Sequence, residues 1–150
     1  MADKPVPRRV VGIDYGMRRI GIALSDELKI IATPIMTMQA EKKSEQTAKK
    51  LFEILEGLQQ KYACSIEEIV IGLPLMMSGK SGMLADEVKH FVGLLQSLTS
   101  IPIKLWDERL TSVQAERALR ETSLTRKRRS QVVDTVSAVI ILQSYLDSKI

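Results

Sequence analysis

The chain has 150 residues, of which 45% are hydrophobic and 27% charged, with a formal net charge of +4. That length fits one domain with a sizeable core. The single cysteine, Cys64, excludes an intrachain disulfide and suits a reducing compartment. Met1 to Arg9 carries charges and two prolines but no apolar signal core. No apolar run, Val136 to Leu142 included, approaches the length that spans a bilayer. The expectation is a cytoplasmic protein with no membrane partner, a flexible tail over residues 1–8, and a basic surface that permits a polyanionic partner without requiring one.

Val10–Tyr15 and Arg19–Asp26 read as two strands joined by a turn at Gly16-Met17-Arg18, which predicts a hairpin. Ile30–Met38 is a third strand-like run, and Pro34 within it points to an edge or a bulge. Glu41–Tyr62 reads as a helix, with Ala48, Leu51, Phe52, Leu55 and Leu58 at helical spacing. Glu68–Leu73 is apolar without alternation, as in a strand covered on both faces. The loop Pro74–Gly82 leads into a helix through Val88, Phe91, Val92 and Leu95, and Ile101–Trp106 is a fifth strand. Thr111 and Gln114 fit a capping box that opens a helix to about Glu121, and Ser130–Asp147 reads as the last helix. This order predicts a single α/β domain with a mixed sheet, an antiparallel hairpin edge and parallel crossovers.

Three acidic positions stand out. Asp14 lies inside an apolar strand, where an ionised carboxylate is costly unless something compensates it. Strand parity puts Val10, Gly12 and Asp14 on one face, and the small residues Gly21, Ala23 and Ser25 on one face of the next strand. Asp107-Glu108-Arg109 follows the fifth strand directly, and strand ends of α/β sheets are where ligands bind. Asp134 shares a helical stripe with Ser130, Ser137, Ala138 and Ile141, a stripe of mostly small residues that can lie against a sheet. Carboxylates converging from three elements repel one another unless a divalent cation sits between them. Mg²⁺ and Mn²⁺ favour such oxygen ligands, and two ions roughly 4 Å apart suit in-line phosphodiester cleavage.

Gly12-Ile13-Asp14-Tyr15-Gly16, Arg19-Ile20-Gly21-Ile22-Ala23, Ile71-Gly72-Leu73-Pro74, Asp107-Glu108-Arg109-Leu110-Thr111 and Asp134-Thr135-Val136-Ser137-Ala138 together resemble the YqgF (RuvX-like) family. The likeness runs in order along nearly the whole chain. It implies an RNase H-like fold with a five-stranded sheet, a cytoplasmic divalent-metal nuclease, and a role in trimming the 5′ end of 16S rRNA; the family is also described as Holliday junction resolvases. Asp14 and Asp134 match the family's first-strand and last-helix acids. The wider superfamily of resolvases carries its second acid on the fourth strand, where this chain has Gly72-Leu73-Pro74. The resemblance moves that role to Glu108, with Asp107 the alternative, and strand parity alone does not choose between them. Met76 and Ser78 stand where members commonly show Asn and an acidic or Asn residue.

The implied catalytic and metal set is Asp14, Glu108 and Asp134, holding Mg²⁺ or Mn²⁺ as a two-metal site. Arg18, Arg19, Arg109, Arg126, Lys127, Arg128 and Arg129 are the candidate nucleic-acid contacts. Precursor rRNA is the expected partner, with branched DNA and the small ribosomal subunit as further candidates, and a monomer or weak homodimer is the expected state. Plainer readings stand beside these. Asp107 and Glu108 can simply favour the start of the following helix, Asp134 can pair with the preceding basic run, and that run can be a solvated turn. A non-catalytic rRNA-binding assembly factor is the rival from another class. A sugar-kinase or actin-like ATPase would need two duplicated domains, more than this length supplies. His90 and Cys64 lack neighbours at ligand spacing, and the few scattered aromatics give no base-stacking platform.

Overall fold

The computed structural model describes residues 5–111 and 126–149; the side chains of residue 110 and of residues 126–135 fall outside that description. Strands β1 (Arg8–Tyr15), β2 (Arg19–Ser25), β3 (Ala32–Gln39), β4 (Ser65–Leu73) and β5 (Ile103–Asp107) form one sheet in the order β3-β2-β1-β4-β5. β2 runs antiparallel to both β1 and β3, whereas β4 pairs in parallel with β1 and with β5. Helix α1 (Ser44–Lys61) connects β3 to β4, and α2 (Met83–Gln96) connects β4 to β5. The last described helix, α3 (Arg126–Asp147), packs on β1, β2 and β3. The mixed sheet, the hairpin and the parallel crossovers all match the sequence reading.

Alternation along β1 divides the core in two. Val11, Ile13 and Tyr15 enter the larger cluster with Ala48, Leu51, Leu55 and Leu58 of α1 and Val88, Phe91 and Leu95 of α2. Val10 joins the smaller cluster on the opposite face with Ala23, Val70 and, from α3, Ala138, Ile141, Leu142 and Tyr145. Gly12 and Asp14 share the parity of Val10, so they belong to the α3 face. α3 comes close enough that a Cβ on Gly12 would meet Leu142 Cβ at 2.6 Å and the Ala138 carbonyl oxygen at 3.1 Å. Polar anchors fix the far half of the helix. Trp106 Nε1 donates to Ser144 Oγ at 3.1 Å, and the Tyr145 hydroxyl donates to Glu68. Gln143 accepts from the Ala32 amide at 2.9 Å and donates to the Ile30 carbonyl at 2.7 Å.

Element boundaries differ from expectation for local reasons. Arg8 already pairs with Ser65, and the Ser65 amide donates to the Pro7 carbonyl at 2.8 Å, so the tail expected over residues 1–8 is tied to the sheet at its end. β3 begins at Ala32 rather than Ile30 because Asp26 Oδ1 takes the amides of Ile30 and Ile31, at 2.8 and 3.0 Å, out of the ladder. Pro34 lies on an edge strand and at a register shift, as its chemistry suggested. α1 starts at Ser44, where Thr47 Oγ1 accepts the Glu41 amide at 2.9 Å, and β4 extends back to Ser65. The Thr111 hydroxyl donates to the Glu108 carbonyl at 3.1 Å, and the helix expected from Thr111 to Glu121 lies outside the described residues. α3 includes Arg126–Arg129, so the basic run is helical rather than a turn before the helix.

Two predictions follow from this packing. Gly12→Ala overfills the β1–α3 contact and is expected to cost about 1–3 kcal/mol in urea unfolding. Gly57→Ala, where a Cβ on α1 meets nothing within 4 Å, is expected to stabilise by about 1 kcal/mol. Equal effects at the two sites would contradict the close approach. The second prediction concerns acid. The Ile31 and Ile30 amides hold the Asp26 carboxyl below its ordinary range, so its contribution is present above the unfolded pKa and lost as pH falls through the folded one. The stability difference between wild type and Asp26→Asn is therefore expected to be constant above about pH 5 and to shrink below about pH 4. A difference independent of pH would remove the charge from that account.

Candidate active site

Asp14 is the penultimate residue of β1 and pairs with Gly21 across the hairpin, a small neighbour of the kind parity suggested. On the other side of β1, β4 ends at Gly72-Leu73, and Gly72 pairs in turn with Trp106 of β5. Trp106 packs against the α3 cluster and Asp107, next in β5, pairs with Leu73, so alternation returns Glu108 to the α3 face. Glu108 opens a short 3₁₀ turn, Glu108–Leu110, and its chain lies directly over Gly72. Its carboxyl reaches hydrogen-bonding contact with that of Asp14. Burial, chiefly, raises the Glu108 pKa, the contact with Asp14 opposes this, and the charge of Asp107 adds to it. Two ionised carboxylates do not hold such a contact without a proton or a cation between them.

Asp107 is committed elsewhere. Its carboxylate accepts from Arg109 Nε at 3.0 and 2.9 Å and from Arg109 Nη2 at 2.6 Å, and it also accepts the Arg109 amide at 3.0 Å. The Arg109 side chain, above all, pulls the Asp107 carboxyl below its usual range. This fork is a bidentate, charge-assisted pair. Of the two adjacent acids, Glu108 is the one brought to Asp14, and Asp107 orients Arg109. Arg109 thus has a carboxylate partner, and a Cβ at Gly79 would lie 3.5 Å from its Nη1. The loop Pro74–Gly82 folds back through a Leu75–Ser81 bridge, with Gly79 at φ +87°, and leaves Met76 and Ser78 exposed.

Asp134 lies in α3, four residues before Ala138 and seven before Ile141, the residues that face Gly12 and Gly72. Its side chain, like those of Arg126, Lys127, Arg128 and Arg129, lies outside the described residues. Arg18 is exposed in the β1–β2 turn, where its carbonyl accepts the Ala40 amide at 2.8 Å, and Arg19 is half-buried at the start of β2. Cys64 is buried, with burial the main influence raising its thiol pKa, and His90 is exposed on α2, so neither enters the site.

Among the described residues no three His, Cys, Asp or Glu side chains gather as a metal site. Asp14 and Glu108 are nevertheless a donor pair suited to a hard divalent cation: carboxyl oxygens, partly withdrawn from water and already in contact. Gly72 is the site residue that the sequence reading passed over. A glycine within a buried apolar strand often marks the close approach of another group, and that signal was present.

The model of the RuvX family, described as Holliday junction resolvase, matches residues 8–148. A protein of Protochlamydia amoebophila (strain UWE25) named "Putative pre-16S rRNA nuclease" is 68% identical over 149 residues, covering 99% of each chain. One of the same name from Halothermothrix orenii is 43% identical over 140 residues, covering 93% of this chain and 94% of that one. Among solved structures, Thermus thermophilus RuvC in complex with a Holliday junction substrate superposes with a TM-score of 0.55 at 12% identity, covering 95% of both chains. The fowlpox virus Holliday junction resolvase gives 0.54 at 9% identity, covering 95% of this chain and 99% of that one. These likenesses at low identity establish an RNase H-like fold. With nearly its whole length matched by the family model and by close relatives, the chain belongs to the RuvX family.

Proposed function

We propose that this protein is a divalent-metal-dependent nuclease that hydrolyses phosphodiester bonds in precursor 16S rRNA, near its 5′ end, during ribosome assembly. The observation that carries the reading is the meeting of the Asp14 and Glu108 carboxyls at the end of the sheet. The names of the close relatives support the substrate. Asp14 and Glu108 would hold the cation, with Asp134 from α3 as the third carboxylate. A bound Mg²⁺ or Mn²⁺ supplies an activated water and stabilises the leaving oxygen. A cation binds the ionised form of Glu108, which burial disfavours, so cation affinity is expected to rise with pH. Arg109, oriented by Asp107, offers its remaining N–H groups to a phosphate, and Arg18 offers an exposed charge in the β1–β2 turn. Arg19 and the Arg126–Arg129 run of α3 are further candidate contacts for the substrate strand. The site is expected to work in the cytoplasm, in contact with the small ribosomal subunit, in a monomer or weak homodimer.

The family description favours a second reading, cleavage of branched DNA. Both are tested by comparing wild type, Asp14→Asn and Glu108→Gln on a 5′-extended 16S rRNA fragment and on a four-way DNA junction, with Mn²⁺ and with chelator. Cleavage of the rRNA by wild type alone, lost with chelator and reduced about 100-fold or more in each variant, is expected. Preference for the junction would transfer the assignment to DNA. Equal cleavage by all three proteins would end the carboxylate reading, and rRNA binding without cleavage would make the protein an assembly factor.

The site also has a stability signature. A folded pKa above the unfolded value means that Glu108 favours the fold only below its unfolded pKa and loses that contribution as pH rises through the folded one. Without metal, Glu108→Gln is therefore expected to be more stable than wild type at pH 7, with the gap closing below about pH 4. Urea unfolding in the presence of chelator measures this; a variant less stable than wild type at pH 7 would contradict it.

A further inference from the structure

The contact between Asp14 and Glu108 depends on a side chain that is absent. An ideal Cβ at Gly72 would lie 2.8 Å from Glu108 Cγ and 2.9 Å from Glu108 Cδ, inside the volume that the acid's own chain fills. It would also lie 2.6 Å from Ile141 Cδ1, so α3 covers the same spot. Real Cβ atoms do not come this close to carbon, so any side chain at position 72 would displace Glu108, Ile141 or both. Gly72 is buried, in a regular stretch of β4 paired with Trp106, and its φ is not positive. Backbone conformation therefore does not demand glycine here; the space does.

We propose that Gly72 is a positioning residue of the cation site: the volume above its Cα is the berth through which Glu108, arriving from the end of β5, delivers its carboxyl to Asp14. A corollary follows from the distances. The Glu108 carboxyl carbon lies 2.9 Å from where a Cβ on residue 72 would stand, within reach of the carboxylate of an acid grown from β4. Positions 72 and 108 are alternative mounts for one carboxylate. The inference rests on the reading of Glu108 as a cation ligand and says which backbone feature makes that ligand possible.

The test measures Mn²⁺ affinity by calorimetry, with cleavage of the rRNA fragment as a second readout and circular dichroism to confirm folding. All proteins carry Ile141→Val, which removes Cδ1 and leaves Glu108 as the close neighbour of position 72. In that background Glu108→Ala is expected to weaken Mn²⁺ binding about 10-fold or more. Gly72→Ala is expected to weaken it comparably with Glu108 still present. The exchange variant Gly72→Asp with Glu108→Ala is expected to recover most of the affinity lost in Glu108→Ala. If Glu108→Ala binds Mn²⁺ as its parent does, the reading of Glu108 as a ligand fails. If Glu108→Ala loses binding but Gly72→Ala keeps it, or the folded exchange variant recovers none, the berth is refuted while the ligand reading stands.

Discussion

The close approach of helix α3 to the central strands is the constraint on which the rest of the molecule depends. Two glycines permit it, Gly12 under Leu142 and Ala138, and Gly72 under Ile141. A bare backbone at these two points of β1 and β4 lets the helix come close to the sheet there. On the opposite face α1 and α2 rest on isoleucine, valine and leucine in the larger apolar cluster. The sheet thus has one thick side, which supplies most of the hydrophobic burial, and one thin side, where polar groups from several elements can meet. Asp14 and Glu108 are on the thin side. Polar anchors through Gln143, Ser144 and Tyr145 fix the C-terminal half of α3.

Adjacent acids with opposite fates show how strand alternation allots chemistry. Asp107 closes β5 on the thick side and is neutralised by Arg109 through a fork of short bonds. Glu108, one residue on, turns to the thin side and meets Asp14. The first acid is held ionised, whereas burial works against ionisation of the second. Two carboxyls held together at a half-buried site weaken a fold when both are ionised. A divalent cation bound between them would offset the cost of assembling the site.

Much of this was legible in the sequence because the signals were periodic and local. The β1–β2 hairpin, the helix through Ala48, Leu51, Leu55 and Leu58, and the edge character of the strand containing Pro34 each follow from patterns within a few residues. Asp14 was conspicuous because a carboxylate interrupts an apolar strand. The choice between Asp107 and Glu108 was not legible, since parity separates the two faces of a strand but does not say which face Asp14 occupies. That required the sheet order and the position of α3. The start of β3 was misplaced because one aspartate side chain, Asp26, competes for two backbone amides. Gly72 escaped notice for a related reason: what matters there is an unfilled volume, and its occupant, Glu108, comes from the turn after β5, distant in the chain.

The central claim is that Asp14 and Glu108 are two walls of one cation site. It is tested most directly by the anomalous signal of Mn²⁺ in crystals of the wild-type protein grown with the ion in excess. The account expects a peak bonded to carboxylate oxygens of both Asp14 and Glu108, at about the 2.0–2.2 Å typical of small hard divalent ions, with Asp107 still clasping Arg109. Ordered carboxylates with no ion between them, or an ion on Asp107 with Arg109 displaced, would contradict it.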